Sequence, residues 1–270
     1  MTTVDAPHTY SGHAELTASL ENGVLTLTLN RPDSLNALNA PMLQTLAESL
    51  ERAAGDPRVK VVRLGGAGRG FCSGAGIGAE DQSNRSPDTD EVLTQANRAV
   101  RAISSLPKPV VAVVHGPAAG VGVSLALASD IVLASEKAFF LLAFTKIGLM
   151  PDGGASALVA AAIGRIRAMR MALLAERISA TEAFEFGLVS AVHPADELEA
   201  AVTTVIDTLA SRPAVALRKT KQAVNDATLT ELEAAIEREV DGQRILLASH
   251  DFREGTLAFQ ENREPSFTDE

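Results

Sequence analysis

Apolar residues are densest in this sequence between positions 110 and 154. Residues 110–114 form a continuous apolar run, which is typical of a strand buried on both faces. Small residues follow over 116–122, and apolar stretches over 123–128 and 131–134 predict a buried helix and another strand. A small-residue loop that leads into a helix leaves the first helical N–H groups without internal partners. These groups can hold a partly negative oxygen, and the pattern leaves open whether it belongs to a phosphate, a carbonyl or a water.

The pattern upstream of this stretch predicts two strands and two helices. Residues 24–29 alternate between apolar and polar, which indicates a half-buried strand. Residues 41–53 and 92–106 carry apolar side chains at helical spacing, and residues 59–64 form another strand candidate. The polar, proline-containing stretch over 80–91 is predicted to be a surface loop.

The downstream pattern is mostly helical. Ser179 followed by Glu182 indicates a helix start, and Gly187 is expected to end that helix before a short strand over 188–192. The other predicted helices cover residues 155–174, 195–210, 214–225, 229–249 and 253–260.

Strand–loop–helix units up to about residue 193, followed by helices alone, predict an α/β fold with a spiral core and a helical C-terminal region. We divide the chain into a flexible tail over 1–13, a core over 14–193 and a helical region over 194–270. The 270 residues are 46% hydrophobic and 21% charged, so the chain can bury a sizeable core.

Charge and composition exclude several functions. The net charge of −10 disfavours binding to nucleic acid or to an anionic membrane. The single cysteine, Cys72, excludes an intramolecular disulfide. The start of the chain has no signal-peptide pattern, and no apolar stretch reaches the roughly 20 residues that span a bilayer. We therefore predict a cytoplasmic protein, and no spacing of His, Cys, Asp and Glu suggests a metal site.

Two glycine-rich loops, each preceded by a predicted strand, are the strongest motifs, and three further segments flank them. The five segments read LNRPDSLNAL over residues 29–38, FCSGAGI over 71–77, HGPAAGVGVSLALASDI over 115–131, KIGLMPDGG over 146–154 and FREGTLAFQENREPSF over 252–267. In this order they resemble the enoyl-CoA hydratase/isomerase family, the crotonases, over residues 14–267. The resemblance implies a spiral of ββα units and an acyl-CoA thioester substrate. It also implies homotrimers, or dimers of trimers, that assemble through the last helices.

The resemblance implies an oxyanion hole, in which two main-chain N–H groups hold the thioester carbonyl. The matching residues are Ala75 in the first loop and Val121 in the second. Because the donors belong to the backbone, a valine side chain does not exclude this role. The aspartate that follows the alanine in the family is Gly76 here. The alternative is that both loops are ordinary tight turns.

Both glutamates that a hydratase of this family uses are absent, since the matching positions hold Ser124 and Phe144. Neither side chain can transfer protons as hydration requires at neutral pH. The remaining candidate is Asp152, which matches the acid/base aspartate of the branch that includes the epoxyphenylacetyl-CoA isomerases. One poorly solvated carboxylate can take a proton from one carbon and return it to another, which suits an isomerase. The alternative is that Asp152 caps the helix predicted to begin at Ala155.

The resemblance places coenzyme A along the first oxyanion loop and the loop over residues 29–38. The residues that it implies for binding are Ser34, Leu35, Ala37, Ser73, Gly76 and Ile77. Coenzyme A is part of the substrate, so we predict no separate cofactor. Asp33 lies where many relatives have a basic residue, and Arg263 is the candidate replacement for a C-terminal lysine near the phosphates.

Two other motifs are incomplete. A serine nucleophile elbow around Ser124 lacks its second glycine and would need His193 or His115 as base. A dinucleotide-binding fingerprint that starts at Gly120 lacks its third glycine.

Three functions stay open. The favoured one is double-bond isomerisation of an acyl-CoA with Asp152 as proton carrier. The second is hydration by another carboxylate, such as Glu80 or Asp81. The third is a non-catalytic acyl-CoA-binding protein.

Overall fold

The computed structural model describes residue 10, residues 13–78 and residues 90–268. The predicted tail over 1–13 and the predicted surface loop over 80–91 lie almost entirely outside these residues, as do Glu80 and Asp81. No helix in the described part is both long enough and apolar enough to cross a membrane.

Strands and helices are interspersed as far as His193, and every described element after that point is a helix. The elements are β1 (Leu16–Glu21), β2 (Val24–Leu29), α1 (Ala40–Gly55), β3 (Val61–Gly66), α2 (Glu91–Ser105), β4 (Val110–Val114), β5 (Pro117–Ala119), α3 (Val121–Leu127), β6 (Ile131–Ser135), β7 (Phe139–Leu141), α4 (Ala155–Leu174), β8 (Ile178–Ser179), α5 (Ala180–Phe186), β9 (Ala191–His193), α6 (Leu198–Ser211), α7 (Ala214–Thr228), α8 (Leu232–Ala248) and α9 (His250–Glu261). Short 3₁₀ turns cover Pro32–Ser34 and Phe144–Ile147.

The strands form two sheets. The larger has the order β1-β2-β3-β4-β6-β9, with β1 antiparallel to β2 and the other pairs parallel. The smaller has the order β5-β7-β8, with β5 parallel to β7. The chain passes from the larger to the smaller sheet after β4 and again after β6, and it returns to the larger sheet after β5 and after β8. This repeated passage forms a spiral of ββα units, which confirms the predicted fold class.

Local chemistry explains the starts of α1 and α5, which lie within one residue of their predicted positions. Asn39 caps α1, because its side-chain oxygen accepts a hydrogen bond from the Met42 N–H at 3.0 Å. Ser179 and Glu182 form a reciprocal capping box at α5, and Gly187 ends that helix with a φ of +86°. These signals lie within a few neighbouring residues, so they can be read without the tertiary structure.

The short strands were predicted less well. β5 falls inside the small-residue stretch that we predicted to be a loop, because three small residues carry no periodic signal and the strand is defined by its pairing with β7. The strand expected over 188–192 is instead Ala191–His193. Leu188 and Val189 are not in it, since the N–H groups of both donate to the Ala183 carbonyl and close α5.

Helix α7 docks on the core through polar contacts, and it has no fully buried residue. Lys221 Nζ donates to the Ile103 carbonyl at 3.0 Å and forms an ion pair with Asp130 Oδ2 at 2.9 Å. Asn225 Nδ2 donates to the Ser104 carbonyl at 3.0 Å. Burial raises the pKa of the Asp130 carboxyl and lowers that of the Lys221 ammonium, while each charge partly offsets the shift of the other. Each charge therefore offsets part of the free-energy cost of burying the other.

We expect Lys221→Met to lower the free energy of unfolding by about 1–3 kcal/mol at pH 7, because it removes the counter-charge of the partly buried Asp130 carboxylate and leaves it only the hydrogen bond from the Val110 N–H. The difference in the free energy of unfolding between the variant and the wild type should be smaller at low pH. Without its counter-charge, Asp130 binds a proton more tightly in the folded than in the unfolded state, and protonated Asp130 needs no cation. Urea unfolding between pH 4 and pH 8 measures this, with the exposed Lys219→Met in the same helix as the control. A pH-independent difference would contradict this account.

Candidate active site

The two glycine-rich loops lie side by side. Cys72 in the first loop pairs with the start of the second: its N–H donates to the Pro117 carbonyl at 3.0 Å, and its carbonyl accepts from the Ala119 N–H at 2.8 Å. Two residues further on, the glycines of the two loops touch. A Cβ on Gly74 would lie 3.4 Å from the Cα of Gly120, and both residues have positive φ. Glycine at both positions allows this approach of the two main chains.

Ala75 and Val121 are the residues that directly follow the two touching glycines. The N–H of Gly76 donates to the Leu38 carbonyl at 2.9 Å, whereas no acceptor among the described residues takes the Ala75 N–H. Val121 is the first residue of α3, so its N–H has no partner within the helix, and no other described group accepts it. The structure thus brings together both predicted oxyanion-hole residues with their donors unused.

Asp152 lies beside the second loop. Ser124 Oγ donates to the main-chain carbonyl of Asp152 at 2.9 Å. The next residue, Gly153, packs on the same helix, since a Cβ there would be 3.1 Å from Ser124 Oγ and 3.6 Å from Val121 Cγ1. Ser124 is fully buried and anchors the loop that carries Asp152. The nucleophile-elbow alternative gains no support, because His115 instead contacts the Gly68 carbonyl and His193 belongs to β9.

Glu239 of α8, and not Asp152, caps helix α4. Its Oε2 accepts from the Gly154 N–H at 2.6 Å, and its Oε1 accepts from the Ser156 N–H at 2.8 Å and from Ser156 Oγ at 2.5 Å. Burial raises the pKa of the Glu239 carboxyl, and the hydrogen bonds from Ser156 act against this rise. A carboxylate at a helix N-terminus is also favoured by the helix dipole. The capping alternative for Asp152 is therefore wrong for its side chain.

Gln243, one turn further along α8, contacts the Asp152 carboxylate directly. Gln243 Nε2 donates to Asp152 Oδ2 at 2.7 Å, and Gln243 Oε1 accepts from the Met150 N–H at 3.2 Å. Gln243 and Glu239 are each 1% exposed, and Asp152 is 8% exposed. The motifs in the sequence did not predict either of these α8 residues. A signal was present, because Glu239 and Gln243 lie on the same helical stripe as the buried Leu232 and Ile236.

Phe144 makes this side of the site apolar. Its side chain is buried, and its ring lies 3.7 Å from the position of a Cβ on Gly120. The resemblance would place a carboxylate at Phe144 and another at Ser124. The structure has neither; the carboxylate on this side is that of Asp152, whose main-chain carbonyl accepts the hydrogen bond from Ser124.

The residues predicted to bind coenzyme A lie on two loops that are joined by hydrogen bonds. The Ser73 N–H donates to the Leu35 carbonyl at 2.9 Å, and Ser73 Oγ donates to the Ser34 carbonyl at 2.9 Å. Asn36 was not among the predicted site residues. It fixes the loop over residues 29–38, because its side-chain amide donates to the carbonyls of Ala67, Gly70 and Phe71.

Ala37 and Ile77 lie at the ends of the same loops, whereas Arg263 follows helix α9. Ala37 accepts a hydrogen bond from Arg31 Nη1 at 2.8 Å, and the Ile77 carbonyl accepts one from Gln260 Nε2 at 2.9 Å. Arg263 is bound to Glu254 and Glu261, each at 2.6 Å. Its charge is thus already balanced by two carboxylates, which weakens the case for it as a phosphate-binding cation.

This arrangement has a counterpart in a known family. A sequence model of the family described as enoyl-CoA hydratase/isomerase matches residues 19–270. The chain therefore belongs to the enoyl-CoA hydratase/isomerase family, the crotonases, and it is an enzyme that acts on acyl-CoA thioesters.

Some relatives in this family are named isomerases and others hydratases. The chain is 41% identical to the 1,2-epoxyphenylacetyl-CoA isomerase of Escherichia coli strain K12 over 252 residues, which cover 92% of this chain and 96% of that protein. It is also 41% identical to a probable enoyl-CoA hydratase of Rhodobacter capsulatus over 250 residues, which cover 92% and 96%. The crystal structure of an enoyl-CoA hydratase from Mycobacterium avium subsp. paratuberculosis K-10 superposes with a TM-score of 0.89 at 64% identity, covering 95% of this chain and 99% of that chain.

We expect Gly122→Ala to push the two loops apart, because the new Cβ would lie 2.7 Å from the Cys72 carbonyl oxygen and 2.8 Å from Cys72 Cβ. Burial raises the pKa of the Cys72 thiol to about 12, so this residue packs as a neutral group and has little room to move. The variant should lose about 1–3 kcal/mol of stability and most of its turnover of an enoyl-CoA ester.

Thermal unfolding and steady-state kinetics test this prediction. The control is Gly55→Ala, where a Cβ would have nothing within 4 Å. Equal stability and turnover in the two variants would show that the contact between the loops does not depend on this glycine.

Proposed function

We propose that this enzyme moves the double bond of an acyl-CoA thioester, with Asp152 as its acid/base and the N–H groups of Ala75 and Val121 as its oxyanion hole. The observation that carries the proposal is the position of Asp152. Its carboxylate is buried and lies on the loop that packs against Val121, in a site where Ser124 and Phe144 occupy the usual carboxylate positions.

The proposed mechanism has two proton transfers. Asp152 takes a proton from a carbon of the acyl chain, the electron pair of that C–H bond enters the conjugated system, and negative charge develops on the thioester oxygen. The N–H groups of Ala75 and Val121 stabilise this charge, and such a donor typically lowers the barrier by about 3 kcal/mol. Asp152 then returns the proton to a different carbon. The reaction is neutral in atoms and electrons and needs no cofactor, since coenzyme A belongs to the substrate.

Hydration fits the described residues less well. Water addition needs one group to activate water and another to protonate the α-carbon. The Ser124 hydroxyl already donates to the Asp152 carbonyl, and Phe144 has no proton to give. The two relatives of equal identity are named as an isomerase and a probable hydratase, so their names do not decide between the reactions. A hydratase would need a carboxylate such as Glu80 or Asp81, which lie outside the described residues.

A non-catalytic binding role is disfavoured by membership of a family of enzymes.

We expect Asp152→Asn to lower the rate of isomerisation by about 10²- to 10⁴-fold and to leave the affinity for an acyl-CoA ester nearly unchanged. The amide has the shape of the carboxylate but cannot accept the proton. The test is incubation with 2-enoyl-CoA and 3-enoyl-CoA esters in D₂O, with product mass and double-bond position determined. Asp207→Asn, at an exposed site on α6, is the matched control. Full activity of Asp152→Asn would refute the assigned role.

The same assay on crotonyl-CoA separates the two reactions. Isomerisation leaves the mass of the ester unchanged in H₂O, whereas hydration adds one water. Water addition that survives Asp152→Asn but not Glu80→Gln or Asp81→Asn would establish the hydratase alternative.

We also propose that the chain forms homotrimers or dimers of trimers through its C-terminal helices. Large apolar side chains are exposed there, which is typical of a surface that a partner covers. They are Val215, Val224, Ile245, Leu257 and Phe259. Light scattering should give three or six times the 28.2 kDa mass of one chain, and a monomer at all concentrations would contradict the proposal. The cytoplasmic location stays a prediction.

A further inference from the structure

The amide of Gln243 has only one orientation that satisfies its surroundings. The Met150 N–H can only donate, so the atom of Gln243 that faces it must be the oxygen, Oε1. The NH₂ group therefore faces Asp152, where its nitrogen lies 2.7 Å from Oδ2. Because both ends of the buried amide are engaged, the side chain cannot turn without losing a hydrogen bond.

Helix α8 is itself fixed against the loop that carries Asp152. Glu239 holds the Gly154 and Ser156 N–H groups at one end of this contact. Leu232 packs on Gly154, where its Cδ1 lies 2.6 Å from the position of a Cβ. At the other end, Gly242 lets the Met150 sulfur approach the helix backbone closely. Gln243 therefore reaches Asp152 from a rigid support.

The contact also favours one charge state of Asp152. A hydrogen bond donated to a carboxylate stabilises its ionised form, whereas burial destabilises that form. Glu239 is the buried ionisable side chain on α8, and its oxygens are occupied by Gly154 and Ser156. Helix α3, which contacts the loop through Ser124, carries no ionisable residue, and α4 has none before Arg165. The Gln243 amide is thus a neutral donor that the structure places directly on the Asp152 carboxylate.

We propose that Gln243 is a positioning residue: it orients the Asp152 carboxylate for proton transfer and keeps it ionised. This inference rests on the proposed function, since it assumes that Asp152 is the base. Gln243 touches Asp152 and the main chain of Met150, so it acts on the reaction through Asp152.

Gln243→Met is the first test, because methionine keeps the length of the side chain and removes both hydrogen bonds. We expect kcat to fall about 10- to 100-fold, the range for a lost hydrogen bond to a charged group, and KM to change less than about threefold. The acid limb of the pH profile of kcat/KM should move to higher pH, because ionised Asp152 loses this donor. Gln44→Met is the matched control, since Gln44 is exposed on α1 and bonds only to Glu48 at 2.8 Å among the described residues.

Gln243→Glu is the second test, and it keeps the proposal testable if the first variant is unstable. A protonated glutamic acid has the shape of glutamine and can donate to Oδ2 while it accepts from Met150. Two carboxyl groups that share one hydrogen bond do not both ionise readily. We therefore expect this variant to be active at low pH. Its activity should fall as the pH rises, because the shared proton is lost, whereas the wild type should stay active over the same pH range.

The outcomes separate the two proposals. Full activity of Asp152→Asn would overturn the proposed function and the role of Gln243 with it. An inactive Asp152→Asn, together with folded Gln243→Met and Gln243→Glu variants that keep the wild-type kcat and pH profile, would overturn the positioning role alone. A fall in kcat at unchanged KM, with the two opposite pH shifts, would establish it. Thermal unfolding of each variant shows which ones are folded.

Discussion

The contact between Gly74 and Gly120 is the constraint on which the rest of the site depends. Two main chains from different turns of the spiral meet there without any side chain between them, and the residues that follow, Ala75 and Val121, keep their N–H groups free of protein acceptors in the described part of the chain. Donors fixed in this way need no reorganisation when charge develops on a bound oxygen. Since the donors belong to the backbone, residue 121 can be valine without loss of the N–H group.

Helix α8 supports the site from the other side. Its buried stripe has an apolar part, Leu232 and Ile236, that packs on Gly154, and a polar part, Glu239 and Gln243, that satisfies the loop between Met150 and Ser156. Burying these polar groups is tolerable because each has a hydrogen-bond partner. The C-terminal helical region is therefore part of the candidate site, although it lies about 90 residues further along the chain.

The two positions that usually carry carboxylates show how one scaffold can support different chemistry. Ser124 instead donates a hydrogen bond to the loop that carries Asp152, and the Phe144 ring packs over Gly120. The Asp152 side chain is buried, and a carboxylate shielded from water is what the proposed proton transfer to and from carbon requires. The family membership gives the class of reaction, and the choice of isomerisation within it rests on the proposed role of Asp152.

Much of this protein follows from the sequence. Features that depend on residues close together in the chain could be read from it: the helix starts at Asn39 and Ser179, the buried strand Val110–Val114 and the glycine-rich loops. The absence of the usual glutamates is read directly from the sequence, at Ser124 and Phe144. Other features depend on contacts between distant residues. The strand Pro117–Ala119 exists because Phe139–Leu141 pairs with it, and its own three residues carry no pattern. The roles of Glu239 and Gln243 were decided by tertiary structure alone, because a buried polar side chain is defined by the partner that satisfies it, and those partners are 83 to 93 residues away.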